Sequence, residues 1–340
     1  MIIPKETPEK SSRESISSAI SHDAKTILVT GGAGFVGSHL VDRLLADGNK
    51  VIVIDNFSTG KLANLNSHLS NPNLTVIEHD ITETINVNVD EIYHLASPAS
   101  PPHYMRNPII TLKTNFMGTL NMLELARSLN ATFLLASTSE IYGDPLVHPQ
   151  PEAYCGNANP TGPRSCYDEG KRSSEALAMA FQRHHNLRIR IARIFNTFGP
   201  RMDTNDGRVV SNFVVQALSN RPLTVYGEGT QTRSFQYIDD LIDGLISLMK
   251  SNITEPINIG NPEEYSVNDF AQIVRNLTGS TSGVVHLKGT EDDPKQRRPD
   301  ISKAAVLINW RPKVDMMEGL RRTIVYFRKK LQEKATDDNL

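Results

Sequence analysis

Short apolar runs punctuate the chain: Thr26–Val29, Val51–Ile54, Leu74–Ile77, Ile92–Leu95, Phe133–Ala136 and Ile189–Ile194. Each is nearly continuous rather than alternating, which marks strands buried on both faces, as in a parallel sheet. The intervals leave room for helices. Ser38–Leu45 has helical spacing, and Thr111–Arg127 and Tyr167–Arg183 are expected to be helices too. Strand and helix in alternation predict an α/β fold, a Rossmann-type doubly wound parallel sheet over residues 25–198. After Phe198 the pattern loosens. Gly199, Pro200, Asn205, Asp206 and Gly207 mark a loop. A helix (Val209–Leu218), a strand (Leu223–Tyr226), a turn (Gly227–Gln231), a helix from Ser266 to Leu277, a charged loop to Pro299 and a last helix (Met317–Leu331) follow. Residues 199–331 are therefore expected to form a smaller C-terminal substrate lobe, with some segments returning to the sheet. Residues 1–24, polar and rich in Ser, Glu and Lys, read as a disordered tail, and 332–340 as a flexible one.

Composition narrows the function classes. The 340 residues are 39% hydrophobic and 22% charged, with a formal net charge of -2. That balance supports a sizeable core and gives no support to a nucleic-acid or membrane-surface role. The two cysteines, Cys155 and Cys166, make neither a disulfide framework nor a zinc spacing. The histidines, among them His103, His184 and His185, show no metal spacing, and no metal is assigned. The N-terminal stretch lacks an apolar segment long enough for a signal peptide or a spanning helix, so a soluble, cytoplasmic protein is expected.

The first strand runs into Thr30-Gly-Gly-Ala-Gly-Phe-Val-Gly37. Gly31, Gly34 and Gly37 meet three demands that exclude a Cβ: a sharp turn, close approach of a pyrophosphate, and tight helix–sheet packing. The helix N-terminus then faces the phosphates. Asp55 ends the next strand about 20 residues on, where a carboxylate accepts from ribose hydroxyls and repels a 2′-phosphate. NAD is favoured over NADP. Asp80, after the third strand, fits an adenine-edge contact or a plain helix cap equally well.

Tyr167 and Lys171 share one helix face at i, i+4. The ammonium can lower the phenol toward neutrality, making Tyr167 a base for a sugar hydroxyl. Thr138 directly follows an apolar strand, at the edge where parallel sheets bind ligands. Such a pair alone is usually a surface helix face; behind a dinucleotide turn and a strand-end Thr it gains weight.

The order TGGAGFVG, STSEIYG, YDEGK resembles the extended short-chain dehydrogenase/reductase family. His94–Tyr104, Ala136–Pro145, Gly162–Arg172, Ala192–Met202, Asp206–Phe213 and Gln231–Tyr237 are more specifically similar to UDP-glucuronate decarboxylases, and the likeness runs from about Lys25 to Leu331. Cys155 stands where the family usually has Trp, and Thr161 where an apolar residue is usual; both lie in the loop before the catalytic Tyr.

The resemblance implies catalysis by Thr138, Glu140, Tyr167, Lys171 and Arg233. It implies that NAD is held by Gly31, Gly34, Phe35, Val36, Gly37, Asp55, Asn56, Phe57, Thr59, Gly60, Asp80, Ile81, Leu95, Ser97, Thr114, Tyr167, Lys171 and Arg208. UDP-glucuronate would meet Lys113 (at its carboxylate), Ser139, Glu140, Asn196, Arg208, Tyr226 (at the uracil), Arg233 and Arg298. The implied product is UDP-xylose, the implied assembly a homodimer through the helices Thr111–Arg127 and Tyr167–Arg183. A UDP-sugar 4-epimerase needs only the Tyr, Lys and Thr and stays open. A 4,6-dehydratase is disfavoured, because Ser139-Glu140 stands where it needs an Asp-Glu pair. A non-catalytic NAD-binding scaffold would have lost Tyr167 or Lys171.

Overall fold

The computed structural model describes residues 24–289 and 294–337. In chain order the elements are β1 (Thr26–Thr30), α1 (Phe35–Ala46), β2 (Lys50–Asp55), β3 (Leu74–Glu78), β4 (Glu91–His94), α2 (Pro101–Arg106), α3 (Pro108–Lys113), a π turn (Thr114–Gly118), α4 (Thr119–Leu129) and β5 (Thr132–Thr138). Then come α5 (Ser165–His185), β6 (Ile189–Ile194), β7 (Thr197–Phe198), α6 (Val209–Leu218), β8 (Leu223–Tyr226), β9 (Thr232–Ser234), β10 (Gln236–Tyr237) and α7 (Ile238–Lys250). The chain closes with β11 (Pro256–Ile259), β12 (Glu264–Ser266), α8 (Val267–Thr278), β13 (Val284–Leu287), β14 (Gln296–Arg297), α9 (Ser302–Leu307) and α10 (Met316–Asp337).

Seven strands form one sheet in the order β11-β6-β5-β4-β1-β2-β3, and all six pairings are parallel. The chain reverses its direction of travel across the sheet between β1 and β4, and a parallel sheet opens a crevice at such a point. Side chains alternate between the two faces. Ile27 and Val29 of β1 join α1 and α7 in one core, while Leu28 joins α4 and α5 in the other. Each of the six apolar runs forms a strand, with ends shifted by a residue or two because hydrogen bonding, not polarity, sets where a strand stops.

The lobe is built from short pieces: β13 on β8, β12 and β14 on β9, and helices α6 and α8. Two segments return to the sheet, α7 against α1 and β11 beside β6. The charged loop before Pro299 contains β14, whose strand character its polar sequence conceals. Helix α10 continues to Asp337, beyond the Leu331 expected; charged residues spaced for pairing, such as Lys330 and Glu333 at 2.8 Å, carry it on. The flexible C-terminal tail is thereby corrected for 332–337. Most of the expected N-terminal tail, residues 1–23, lies outside the described residues. Among the described residues no helix is long and apolar enough to cross a membrane.

Candidate active site

A cavity of about 1020 Å³ lies along the carboxyl ends of the strands, between sheet and lobe. Its dinucleotide end is built by the glycine turn. Gly31 sits at φ +70, and a Cβ there would come 2.8 Å from the Ala96 Cα. A Cβ on Gly37 would come 2.1 Å from the Gly31 carbonyl oxygen, so α1 can pack here only without one. No side chain caps α1, which leaves its first-turn amides for an anion.

Asp55 is buried and accepts from the Ala33 amide at 3.0 Å and the Phe57 amide at 2.9 Å. Burial pushes its carboxyl up from the ordinary value, and those two amides pull against that. A carboxylate oxygen has two lone pairs, so capacity remains for ribose hydroxyls. The cradle and this acceptor fit NAD.

The cavity wall brings together most of the cofactor residues expected from sequence: Gly31, Gly34, Phe35, Val36, Gly37, Asp55, Asn56, Thr59, Ile81, Leu95, Ser97 and Thr114. Phe57, Gly60 and Asp80 stand behind that wall. Phe57 holds Asp55 through its amide, and Gly60 packs on the Asp55 carboxylate. Asp80 accepts from the Asn56 side chain at 3.0 Å. Burial would raise the Asp80 carboxyl, but hydrogen bonds from Thr82 and Asn56 and the charge of Lys113 bring it below its usual value.

Thr138, Tyr167 and Lys171 meet at the centre. Thr138 ends β5, and its hydroxyl lies near enough to the Tyr167 hydroxyl to favour the phenolate. Lys171 is buried and donates to the Ala136 carbonyl at 3.0 Å. Burial pulls its ammonium down to about 8, with Glu175 working the other way. The phenol is not lowered as expected. Burial pushes Tyr167 up, the Glu140 carboxylate adds to that, and the nearby Thr138 hydroxyl only eases it. Desolvation dominates, and the lysine is turned toward the strand carbonyl.

The far end carries Ser139, Glu140, Asn196, Arg208, Tyr226 and Arg233. Glu140 is gripped by Arg297 and Arg164, the Arg297 Nη2 lying 3.0 Å from Oε2. Burial alone would raise this carboxyl; the two guanidiniums win and hold it at about 2. Arg208 is aimed by Asp206, with Nη2 donating at 2.9 Å, and its charge reaches Tyr167.

Two expected substrate residues lie elsewhere. Lys113 is not part of the cavity wall, and its charge acts on Asp80. Arg298 lines a second cavity with Pro149 and Pro262, and its Nη1 lies 3.9 Å from Glu264. Arg297 takes the place in the main cavity. Arg297 is the last residue of β14, whose register sets it beside Arg233 of β9, and Arg298 follows after the strand has ended.

Sequence reasoning also missed Arg164 and Tyr104. The Tyr104 ring stacks on Tyr167 with centroids 5.0 Å apart and planes at 7°. Their sequence neighbourhoods were part of the family likeness, but nothing local distinguishes these side chains. Among the described residues no group of three or more His, Cys, Asp or Glu could hold a metal ion.

The family model for GDP-mannose 4,6-dehydratases matches residues 28–323. A UDP-glucuronic acid decarboxylase 1 of Xenopus tropicalis is 56% identical over 315 residues, 93% of this chain and 75% of the relative. A UDP-glucuronic acid 4-epimerase of Bacillus cereus, solved with UDP-glucuronic acid and NAD, superposes with a TM-score of 0.80 at 32% identity, covering 90% of this chain and 99% of that one. A dTDP-glucose 4,6-dehydratase of Streptomyces venezuelae, solved with NAD, gives 0.84 at 27% identity, covering 91% and 98%.

Proposed function

The chain belongs to the extended short-chain dehydrogenase/reductase family, among the UDP-glucuronic acid decarboxylases, and on that footing we propose that it converts UDP-glucuronate to UDP-xylose and carbon dioxide. The observation that carries this beyond the fold is the pair Ser139-Glu140 at the strand end, with Glu140 held ionised by Arg297 and Arg164. A dehydratase needs an acid in this segment to expel a hydroxyl, and a carboxylate clasped by two guanidiniums is held in its ionised form, with no proton to give. The relatives point the same way: decarboxylases at 56% identity, a 4-epimerase at 32%.

NAD, when bound, supplies the hydride acceptor at C4 and returns the same hydride at the end. Tyr167 would take the proton from O4 as C4 becomes a ketone, acting as the phenolate once the positive charge of bound NAD and of Lys171 offsets the burial that raises it. The C6 carboxylate is now β to that ketone. Its C5–C6 bond breaks, carbon dioxide leaves, and the electron pair moves through C5 to O4 as an enolate. Thr138 and the Tyr167 hydroxyl stabilise that charge by donating to O4. A proton is delivered to C5, C4 is reduced, and Tyr167 gives its proton back to O4. Arg233 or a water it binds is our assignment for the C5 proton, with Glu140 positioning the sugar or that water. Asn196 and Arg208 would hold the diphosphate, and Tyr226 the uracil. Because no net electron is consumed, NAD stays with the enzyme.

A homodimer is part of the proposal. Ile109, Ile110, Leu112, Phe116 and Met117 expose an apolar face beside α5. A cytoplasmic location is proposed as well; Cys155 and Cys166 are free thiols. The test is a product assay with UDP-glucuronate and no added cofactor. Carbon dioxide and a pentose nucleotide are expected. An epimerised uronate without carbon dioxide would establish the epimerase instead.

A further inference from the structure

Helix α5 docks on strand β5 through three polar rungs. Tyr167 meets Thr138, Lys171 meets the Ala136 carbonyl at 3.0 Å, and the Ser137 hydroxyl donates to Glu175 Oε1 at 2.5 Å. The helix members lie at i, i+4 and i+8, one stripe of a single face. The strand members are three consecutive residues. Apolar contacts alone would let a helix slide and roll over a sheet, whereas two directional bonds one turn apart, from Lys171 and to Glu175, fix both its rotation and its height.

The third rung is the one the reaction does not explain. Glu175 is a buried carboxylate, and burying one costs free energy unless it is paired. Arg193 of β6 pairs it, with Nε 3.0 Å from Oε1 and Nη2 2.8 Å from Oε2. Arg193 is itself anchored. Its Nη1 donates to the Tyr142 hydroxyl at 3.0 Å and to the Glu152 carbonyl at 2.8 Å. Tyr142 donates on to Asn258 at 2.8 Å, and Asn258 donates to the Gln150 and Asp300 carbonyls, each at 3.0 Å. Gln150 in turn bonds the backbone of Arg298, next to Arg297. A continuous buried chain thus joins the helix of the proton-transfer pair to the segment that grips Glu140.

We propose that Glu175 is a positioning residue: clamped by Arg193, it ties the strand end bearing Ser137 and Thr138 to the helix bearing Tyr167 and Lys171. The electrostatics agree in sign, since Glu175 raises the lysine that burial lowers. The charged and titratable groups around this pair include Arg193 on β6, Tyr142 in the turn after β5, Tyr167 on α5, and His94 on β4, which is neutral.

This inference rests on Tyr167 and Lys171 acting at the sugar, as proposed above. Glu175→Gln keeps the shape and an acceptor for Ser137 but removes the charge. Lys171 should then lose its proton at lower pH, moving the alkaline limb of kcat down by about 0.5–1 pH unit. kcat should fall by roughly 10-fold with KM for the nucleotide sugar changed less than about 2-fold. Glu175→Asp, which keeps the charge, should restore the limb. An unmoved limb in Glu175→Gln overturns the electrostatic part. Ser137→Ala leaves the ion pair intact and cuts only the rung. It should lower kcat without moving the limb, and a normal kcat there overturns the tie. Ser137→Ala also carries the test if Glu175→Gln does not accumulate folded. Wild-type enzyme without carbon dioxide release would be a failure of the proposed reaction. The same comparisons would then be read on whichever UDP-sugar it oxidises, by reduced-nicotinamide absorbance.

Discussion

A Tyr167→Phe substitution leaves the ring stacked on Tyr104 and deletes one oxygen. Turnover of UDP-glucuronate should drop by about 10²–10⁴-fold, while the NAD that co-purifies stays equal; near-normal turnover would remove Tyr167 from proton transfer. The neighbours Arg297 and Arg298 make a sharper comparison. Arg297→Ala leaves Glu140 in a buried site with half its counter-charge, so decarboxylation should fall by at least about 10-fold. Arg298→Ala touches only the pair with Glu264 across 3.9 Å and should stay within about 2-fold of wild type. Equal losses in steady-state assays would erase the distinction. These two residues also mark where reading the sequence stops. Tyr167, Lys171 and Thr138 could be found because helical spacing and strand-end position are local. Which of two adjacent arginines enters the cavity depends on how β14 lies against β9, and no local pattern encodes that register.

At the scale of elements, the strand β4 is pinned by a buried histidine. His94 Nδ1 lies 2.9 Å from the Thr30 hydroxyl of β1, and Nε2 lies 3.2 Å from the Thr119 hydroxyl of α4. Burial, with some repulsion from Lys171, lowers the His94 imidazole from 6.5 to about 3. The folded chain therefore refuses a proton that the unfolded chain accepts below 6.5. Stability from this site is complete above that value and is lost as pH falls toward about 3, at up to about 1.4 kcal/mol per pH unit. His94→Gln can serve both hydroxyls without titrating. Its denaturation free energy should fall less steeply than wild type from about pH 7 to about pH 5; matching slopes would count against a neutral, buried His94. The strand itself was legible in its apolar run. The polar pin was not, because nothing in one sequence says which hydroxyls face His94. The π turn at Thr114–Gly118 was hidden for a related reason: no residue type marks a π turn, and Gly118 presses so closely on Ile81 that a Cβ would sit 2.4 Å from Cδ1. Tertiary contact accompanies the bulge there, not local propensity.

For the whole molecule, the sheet order could be anticipated because alternating strands and helices have few right-handed solutions. The crossing back through α7 and β11 left a weaker trace, since one returning strand looks like any short apolar run. The exposed face of α3 and the π turn raises the remaining question at this scale. Ile109 is 78% exposed and Phe116 41%, and they have Ile110, Leu112 and Met117 around them. A contiguous apolar surface of this kind is unusual on a monomer. Beside it α5 presents Ala176 and Ala180 outward, small enough for another helix to approach closely. A two-fold axis would let the same face meet itself, which a cyclic dimer requires. Wild-type protein should sediment as a dimer at micromolar concentration. The double substitution Ile109→Asp, Phe116→Glu puts two carboxylates on each side of that axis, where they would be desolvated and repel one another. The dimer should weaken by at least about 100-fold with the circular dichroism of the fold unchanged. Sedimentation as a monomer by the wild type, or as an unaltered dimer by the variant, would place the interface elsewhere. The second outcome would also leave this apolar face without the partner that its composition calls for.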